Sequence, residues 1–208
     1  MIRKGYIRVV FSFLIAGGLI AGTENQTLGH NPGLPSVPRK ALRREVHVPV
    51  HDFILTDQTG KLFKFKKLRG KVVLLAFVYT SCPDVCPLVT AGMRLLQKKL
   101  GEAERHSVFL VSVTTDPEVD SPKVLRSYAE RYQVDFSNWS LLTGDPQSLT
   151  RVWKNFGVKT QRKARGLVNH TSLTALVDGK GTMRFAYHGA SPDYKTILRD
   201  MRRLLASH

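Results

Sequence analysis

The apolar residues of the chain follow patterns that predict alternating strands and helices. An unbroken apolar run at residues 72–79 and a mostly apolar run at 108–113 are typical of strands buried on both faces of a sheet, and a shorter strand is predicted at 140–142. Apolar residues at helical spacing predict helices, several of which begin with a cap and a proline. These helices cover residues 88–100, 121–132, 145–156 and 191–204.

Two predicted hairpins complete the pattern. One surrounds the turn Asp57-Gln58-Thr59-Gly60, and the other joins residues 171–177 to 182–187 through the turn Asp178-Gly179-Lys180-Gly181. Strands that alternate with helices over short connections predict one α/β domain, and the closing hairpin predicts a mixed central sheet flanked by helices. The sequence shows no internal repeat and no second domain.

The first residues predict an export segment followed by a linker. Residues 1–8 are basic, and residues 9–23 carry no charge before Glu24. At about 1.5 Å per residue this stretch spans roughly 22 Å as a helix, short of the roughly 30 Å hydrocarbon core, which favours a cleaved signal peptide over a membrane anchor. We therefore predict a signal peptide or membrane anchor at 1–23, a proline-rich basic linker at 24–46, and the folded domain at 47–206.

The charge of the chain is strongly positive. Its 32 Lys and Arg residues exceed its 16 Asp and Glu residues and give a formal net charge of +16. Such a balance favours acidic partners, anionic membrane surfaces or nucleic acid. Because the basic residues are spread along the chain and no nucleic-acid-binding motif accompanies them, we predict a basic, solvated surface and no nucleic-acid partner.

A reactive or metal-binding site is predicted between the first buried strand and the helix that follows it. The segment Thr80-Ser81-Cys82-Pro83-Asp84-Val85-Cys86-Pro87 holds both cysteines of the chain. A disulfide between them would close only a short loop and constrain the unfolded state little. A redox-active pair also suits thiols near a helix N-terminus, although thioredoxin-type enzymes have two residues between their cysteines and this chain has three. The proline of the peroxidase pattern Pro-x-x-x-Thr-x-x-Cys is absent.

A metal site is the third interpretation of the same cysteines. Residues four apart lie near each other on a helical turn, so both sulfurs can converge on one ion. Two thiolates are soft ligands that select copper(I) or zinc, and either metal needs a further ligand. Among the seven histidines, His170 stands at the entrance to a predicted strand and can project towards the end of the sheet. All three interpretations remain open on these residues alone.

Four stretches of the chain resemble the Sco (SenC) family of copper chaperones. They are Cys82-Pro83-Asp84-Val85-Cys86-Pro87, Asp116-Pro117-Glu118-Val119-Asp120-Ser121-Pro122, Leu142-Thr143-Gly144 and Val168-Asn169-His170-Thr171. The resemblance runs in unbroken order over residues 51–205. It implies a thioredoxin-like fold, a copper site made by Cys82, Cys86 and His170, and a role in assembling the binuclear copper centre of cytochrome c oxidase.

The resemblance implies a metallochaperone rather than an enzyme. The expected metal is copper, as Cu(I), Cu(II) or both. The expected partners are a copper-accepting oxidase subunit, a copper donor and a thiol reductant, and the protein is expected to be a monomer close to a membrane. The alternative is a thiol-disulfide reductase in which Cys82 and Cys86 act on the cysteines of a copper-acceptor protein. A structural zinc or disulfide domain used for interaction is a further alternative to the chaperone and the reductase.

Two departures from the family pattern change these expectations. The family usually has aspartate immediately before the ligand histidine, whereas this chain has Asn169, which removes a negative charge beside the site. Many members have an acidic segment on the approach to that histidine, whereas here the approach is basic, with Lys159, Arg162, Lys163 and Arg165. We therefore expect different surroundings for the histidine and a different docking face for the partner.

Other sequence features bear on the mechanism and the compartment. Thioredoxin-like redox enzymes place a cis-proline opposite their cysteines, but residues 158–190 contain no proline, which favours metal binding by His170. Asn169-His170-Thr171 is a glycosylation sequon, and a glycan there would crowd the proposed ligand, so a eukaryotic secretory route is disfavoured. We predict the bacterial periplasm, with or without inner-membrane attachment, and the mitochondrial inner membrane as the alternative.

Overall fold

A computed structural model describes residues 42–189 and 192–207 of the chain. The strands are β1 (Leu42–Pro49), β2 (Ile54–Asp57), β3 (Leu62–Lys64), β4 (Val72–Val78), β5 (Val108–Thr114), β6 (Trp139–Thr143), β7 (Thr160–Arg162), β8 (Val168–His170), β9 (Leu173–Val177) and β10 (Thr182–His188). The helices are α1 (Val85–Lys99), α2 (Glu102–Ser107), α3 (Pro122–Arg131), α4 (Pro146–Asn155) and α5 (Tyr194–Leu205). Short 3-10 turns lie at Phe65–Leu68 and Ala164–Gly166.

The central sheet of the described residues is mixed, as predicted. Its eight strands lie in the order β1-β10-β9-β4-β5-β6-β2-β3. β4, β5 and β6 run parallel, while β9 pairs antiparallel with β4 and with β10. The hairpin β7–β8 forms a second sheet of two strands, which pairs with no strand of the first among the described residues. The predicted α/β class with a mixed central sheet flanked by helices is thus confirmed.

β4 lies at the centre of the fold because its side chains are buried on both faces of the sheet. Leu74 and Ala76 pack with apolar residues of α1, α3 and α5. Leu75 and Phe77 pack on the opposite face with α4 and with the turn Phe65–Leu68. Every residue of β4 is at most 2% exposed. The end of this strand, which leads into the cysteine segment, is therefore fixed by core packing on both sides.

The folded region begins earlier in the chain than residue 47. β1 starts at Leu42, so the last residues of the predicted linker, 42–46, lie within a strand. Most side chains of β1 are exposed, and it therefore carries no apolar pattern that could predict it. Its backbone pairs antiparallel with β10, and Arg43 donates to the buried carboxylate of Asp200 over 2.6 Å.

Three other elements differ from the sequence prediction. The last helix begins after Asp193, whose carboxylate accepts a hydrogen bond from the Lys195 N–H at 3.0 Å, rather than at the predicted Ser191-Pro192 start. Helix α2 and the hairpin β7–β8 were not predicted. Both are short and mostly polar, so neither has a periodic apolar pattern.

Helices α1 and α5 approach each other closely at Gly92. A Cβ atom at this position would lie 1.9 Å from the ring of Tyr194. The Tyr194 hydroxyl donates to the Val89 carbonyl oxygen of α1 at 2.9 Å, which holds the ring in this place. Gly92 is therefore required for the two helices to pack at this distance.

The predicted signal peptide or anchor at 1–23 lies outside the described residues, as does the linker up to residue 41. Within the described part of the chain, no helix has both the length and the apolar character that crossing a membrane requires.

Candidate metal centre

The cysteine segment follows directly from the buried strand β4. Tyr79 and Thr80 continue the chain beyond the end of β4, and α1 begins at Val85. Cys86 lies in the first turn of α1 and is 1% exposed, whereas Cys82 precedes the helix and is partly exposed. Both cysteines are free thiols. The structure thus confirms the predicted position of the pair between a central strand and a helix N-terminus.

The two thiols have different surroundings. The Cys86 N–H donates to Sγ of Cys82 over 3.4 Å, and the Tyr79 N–H lies 3.5 Å from Sγ of Cys86. Burial raises the pKa of the Cys86 thiol well above its ordinary value. Burial also acts to raise the pKa of Cys82, but hydrogen bonds from the backbone of Cys86 and Asp84 outweigh it and hold that pKa below its ordinary value. Cys82 is therefore the thiol that ionises first.

His170 is the last residue of β8 and is half-buried. Its Nδ1 lies 3.1 Å from the Thr171 carbonyl oxygen. When Nδ1 carries the ring proton it donates to this oxygen and leaves the lone pair of Nε2 free. Burial lowers the pKa of His170 below its ordinary value, so the imidazole is neutral at pH 7. A neutral, oriented imidazole is the form that binds a metal.

Tyr79 joins the cysteine segment to the hairpin that carries His170. Its ring meets the imidazole edge-on, with 5.9 Å between ring centroids. The Cys82 N–H donates to the Tyr79 carbonyl oxygen at 3.3 Å, and the Cys82 side chain and the Val168 backbone lie close enough to the Tyr79 hydroxyl to act on its pKa, which burial raises. Tyr79 was missed by sequence reasoning because it ends an apolar run and reads there as one more core residue. The predicted ligands Cys82 and His170 thus both lie next to one tyrosine.

The three predicted ligands do not form a ready-made cluster. Within residues 42–189 and 192–207, no three His, Cys, Asp or Glu side chains converge closely enough to hold a metal ion. Cys82 and Cys86 are adjacent, while His170 reaches this end of the sheet through its contact with Tyr79. Ligation of one ion by all three therefore requires the imidazole and the thiols to come closer together than they lie here.

Asp120 fixes the start of the cysteine segment through hydrogen bonds to Thr80. Its fully buried carboxylate accepts hydrogen bonds from the Thr80 N–H at 3.2 Å, from the Thr80 hydroxyl at 2.5 Å and from the Thr114 hydroxyl at 2.5 Å. Burial raises the pKa of Asp120, and these hydrogen bonds oppose that rise. Asp120 belongs to the 116–122 stretch singled out in the sequence, but nothing in the sequence indicated its contact with Thr80.

Asn169, which replaces the aspartate usual in the family, is exposed on β8 next to His170. Its backbone position pairs with Gln161 of β7. The polar partner of His170 Nδ1 is the Thr171 carbonyl oxygen. The imidazole is therefore oriented by the backbone of the following residue.

Comparisons with known proteins agree with the fold and with the sequence motifs. A sequence model of the SCO1/SenC family matches residues 43–206. The SCO1 protein homolog of Bacillus subtilis (strain 168) is 34% identical over 165 residues, which are 77% of this chain and 85% of that protein.

Solved structures with the same fold include two Sco proteins. One is BsSco, described with a disulfide switch and as a member of the Sco family of cytochrome c oxidase assembly proteins; it is 33% identical, with a TM-score of 0.69 over 80% of this chain and 99% of that one. The other is Bradyrhizobium japonicum ScoI with copper bound, which is 27% identical, with a TM-score of 0.66 over 76% of this chain and 99% of that one. With its family match, its sheet order and its Cys82, Cys86 and His170 at one end of the sheet, the chain belongs to the SCO1/SenC family.

Proposed function

We propose that this protein is a copper-binding metallochaperone whose cargo is held by the thiolates of Cys82 and Cys86 and by the imidazole of His170. The observation that carries the proposal is that Tyr79 contacts both Cys82, through the Cys82 N–H at 3.3 Å, and His170, through its ring, so the two parts of the proposed site lie at the same end of β4. The copper-bound state of a structural relative, Bradyrhizobium japonicum ScoI, supports the choice of metal. Soft thiolates together with an imidazole favour copper over hard cations.

The chemistry of the ligands decides when the cargo binds. Copper needs both thiols deprotonated, and the low pKa of Cys82 makes its thiolate available first. The proton of buried Cys86 leaves only as the metal arrives, because burial disfavours a free thiolate there. Oxidation of the pair to a disulfide removes both ligands. Copper loading therefore depends on a reductant.

The proposed destination of the copper is the binuclear copper centre of cytochrome c oxidase. Support comes from BsSco, which is described as a member of a family of oxidase assembly proteins. A copper-accepting oxidase subunit, a copper donor and a thiol reductant are the proposed partners. The proposed compartment is the bacterial periplasm, with the mitochondrial inner membrane as the alternative.

Copper transfer tests this function directly. The reduced protein is loaded with copper and mixed with the metal-free copper domain of an oxidase subunit, and the spectrum of the acceptor's copper centre is followed. We expect that centre to form with the reduced, loaded protein and to fail with protein first oxidised to the Cys82–Cys86 disulfide. Equal filling of the acceptor by both forms, or by free copper alone at the same rate, would contradict the proposal.

The difference between the two thiols also favours a second function, that of a thiol-disulfide reductase. The Cys82 thiolate would attack an acceptor disulfide and form a mixed disulfide, releasing one acceptor sulfur as a thiolate that takes up a proton. Deprotonated Cys86 would then attack Cys82 and release the second acceptor thiol. The acceptor gains two electrons and two protons, and the protein is left as the disulfide, which an external dithiol must reduce.

Reductase activity is separated from copper binding by the His170→Ala variant. If the protein is a reductase, this variant keeps its rate of exchange with a small disulfide, whereas Cys82→Ser and Cys86→Ser lose turnover. Loss of exchange in His170→Ala alone would argue against the reductase, because the imidazole has no part in the two attacks.

A further inference from the structure

The loop of residues 115–120, between β5 and α3, contacts both parts of the proposed copper site. At its far end Asp120 binds Thr80, two residues before Cys82. At its near end the carboxylate of Asp116 pairs with the guanidinium of Arg162 on β7. One short loop is therefore joined to the cysteine segment and to the hairpin that carries His170.

The ion pair between Asp116 and Arg162 couples a buried group to a half-exposed one. The side chain of Asp116 is 1% exposed and that of Arg162 is 37% exposed. The second carboxylate oxygen of Asp116 is buried and has no hydrogen-bonding partner among the described residues. Arg162 also lies 3.4 Å from Glu118, which is 70% exposed. Arg162 therefore supplies the positive charge that compensates a carboxylate removed from water.

Arg162 is tied closely to His170 through the hairpin. In the antiparallel register of β7 and β8, Arg162 lies opposite Val168 and Thr160 lies opposite His170. A shift of Arg162 thus moves the strand pair that carries the imidazole. The charge on this side chain belongs to the basic approach to His170, where many family members are acidic.

The hairpin has few other attachments to the domain. A two-stranded sheet is marginally stable by itself, and β7–β8 shares no backbone pairing with the main sheet among the described residues. Its attachments include the buried side chain of Val168 in the core and the contacts of Tyr79 with Val168 and His170. An ion pair with a buried carboxylate therefore contributes substantially to holding the hairpin in place.

We propose that the Asp116–Arg162 pair is a latch that keeps the His170 hairpin seated beside the cysteines. With the hairpin seated, the imidazole needs only a local adjustment to reach the thiols. Arg162 and Asp116 are therefore positioning residues for copper. The effect on copper rests on the proposed function, whereas the effect on the hairpin does not depend on any metal.

Hydrogen exchange of the reduced, metal-free protein tests the latch itself. Arg162→Gln is compared with Lys163→Gln, which removes the same charge from the exposed neighbouring residue. We expect the backbone amides of 160–170 to exchange at least about tenfold faster in Arg162→Gln and at the parental rate in Lys163→Gln. The amides of β4 and β9 should keep parental rates in both variants, which shows that the domain remains folded. Equal hairpin exchange in both variants and the parent would overturn the latch.

Copper titration of the same proteins tests what the latch positions. We expect Arg162→Gln to weaken copper binding about tenfold relative to the parent, with Lys163→Gln unchanged and Arg162→Lys partly restored. The same change made in a His170→Ala background should have no further effect, because the latch acts through the imidazole. Unchanged or tighter copper binding by Arg162→Gln would overturn the positioning role. A parent protein that binds no copper would overturn the proposed function instead and leave the exchange result standing.

Discussion

The cysteines and the histidine of the proposed copper site lie on parts of the fold that are held in different ways. Cys86 is buried in the first turn of α1, and the segment before it leaves a strand that is packed on both faces. His170 ends a short strand of a separate two-stranded sheet. The thiols are therefore fixed by the core, whereas the imidazole is oriented by the Thr171 carbonyl oxygen and its hairpin is held by Tyr79, Val168 and one ion pair.

This difference suggests how a carrier can hold its metal and still release it. Two proposed ligands on a rigid part of the fold would keep the metal in a defined place, and a third on a hairpin held by a small number of contacts could be withdrawn once the Asp116–Arg162 pair is broken. The comparison predicts large effects when the rigid part is changed and graded effects when the hairpin is changed.

The largest effect is expected from the cysteines. Cys82→Ser and Cys86→Ser should each weaken copper binding by more than about a hundredfold, because a hydroxyl is a poor ligand for a soft metal. The dissociation constant is measured by competition with a chelator of known affinity under reducing conditions. Ser81→Ala, at the exposed neighbouring residue, serves as the control and should bind as the parent does. Parental affinity in either serine variant would remove that cysteine from the site.

A smaller loss is expected from the histidine. His170→Ala should weaken copper binding by about 10- to 100-fold, because two thiolates remain and only one ligand is lost. The same competition titration applies, with Asn169→Ala as the control on the same strand. If His170→Ala lost as much affinity as the cysteine variants, the two parts of the site would not differ in the way proposed.

Asp120→Asn tests how firmly the cysteine segment is fixed. An amide group would replace one carboxylate oxygen that accepts from Thr80 or Thr114, so we expect the free energy of unfolding to fall by about 1–3 kcal/mol. Denaturant unfolding followed by circular dichroism measures the change. Asp84→Asn is the matched control, since Asp84 is exposed and makes no side-chain cap to α1. An unchanged unfolding midpoint for Asp120→Asn would show that Thr80 is held by other contacts.

The two thiols should differ in reactivity. The lowered pKa of Cys82 raises its thiolate fraction at a given pH, and the raised pKa of Cys86 reduces its own. We therefore expect iodoacetamide to modify Cys82 about tenfold faster than Cys86 in the native metal-free protein at pH 7. The rate for Cys82 should reach half its maximum at a lower pH than that of an ordinary thiol. Mass spectrometry of digested samples follows both sites, and equal rates would contradict the assignment.

The smallest effect is expected from Tyr79→Phe, a change at the residue that lies next to both Cys82 and His170. The Tyr79 side chain helps to lower the pKa of Cys82, so loss of its hydroxyl should raise that pKa and slow alkylation at pH 7 about two- to threefold. Tyr132→Phe, which removes a hydroxyl from α3's C-terminal end, is the control. Faster alkylation in Tyr79→Phe would mean that the ring shields Cys82 more than the hydroxyl activates it.

The core, and the positions in the fold of the proposed ligands, could be predicted from the sequence. A strand buried on both faces is mostly apolar: β4 is apolar throughout, and β5 is apolar except for Ser112 and Thr114. The turn between β4 and α1 follows from the helical spacing after Pro87, so the cysteine pair could be placed before the structure was known. His170 was found through its motif and its position before β9.

The contacts that hold the site could not be predicted in this way. The pairing of Arg162 with Asp116 joins residues 46 apart in the chain, and no local pattern encodes such a contact. β1 is held by backbone pairing and by Arg43, so an apolar pattern does not reveal it. Tyr79 resembles the core residues before it in the sequence, although in the structure its hydroxyl lies near the side chain of Cys82.

Substitutions of the buried Gly92 should be poorly tolerated. In an isolated helix, replacing glycine by alanine stabilises by about 1 kcal/mol. In this fold the added methyl group would collide with the ring of Tyr194, pushing α5 away from the helix whose first turn carries Cys86. A library of α1 variants selected for correct folding should therefore retain glycine at this position, which lies six residues after Cys86 on the same helix.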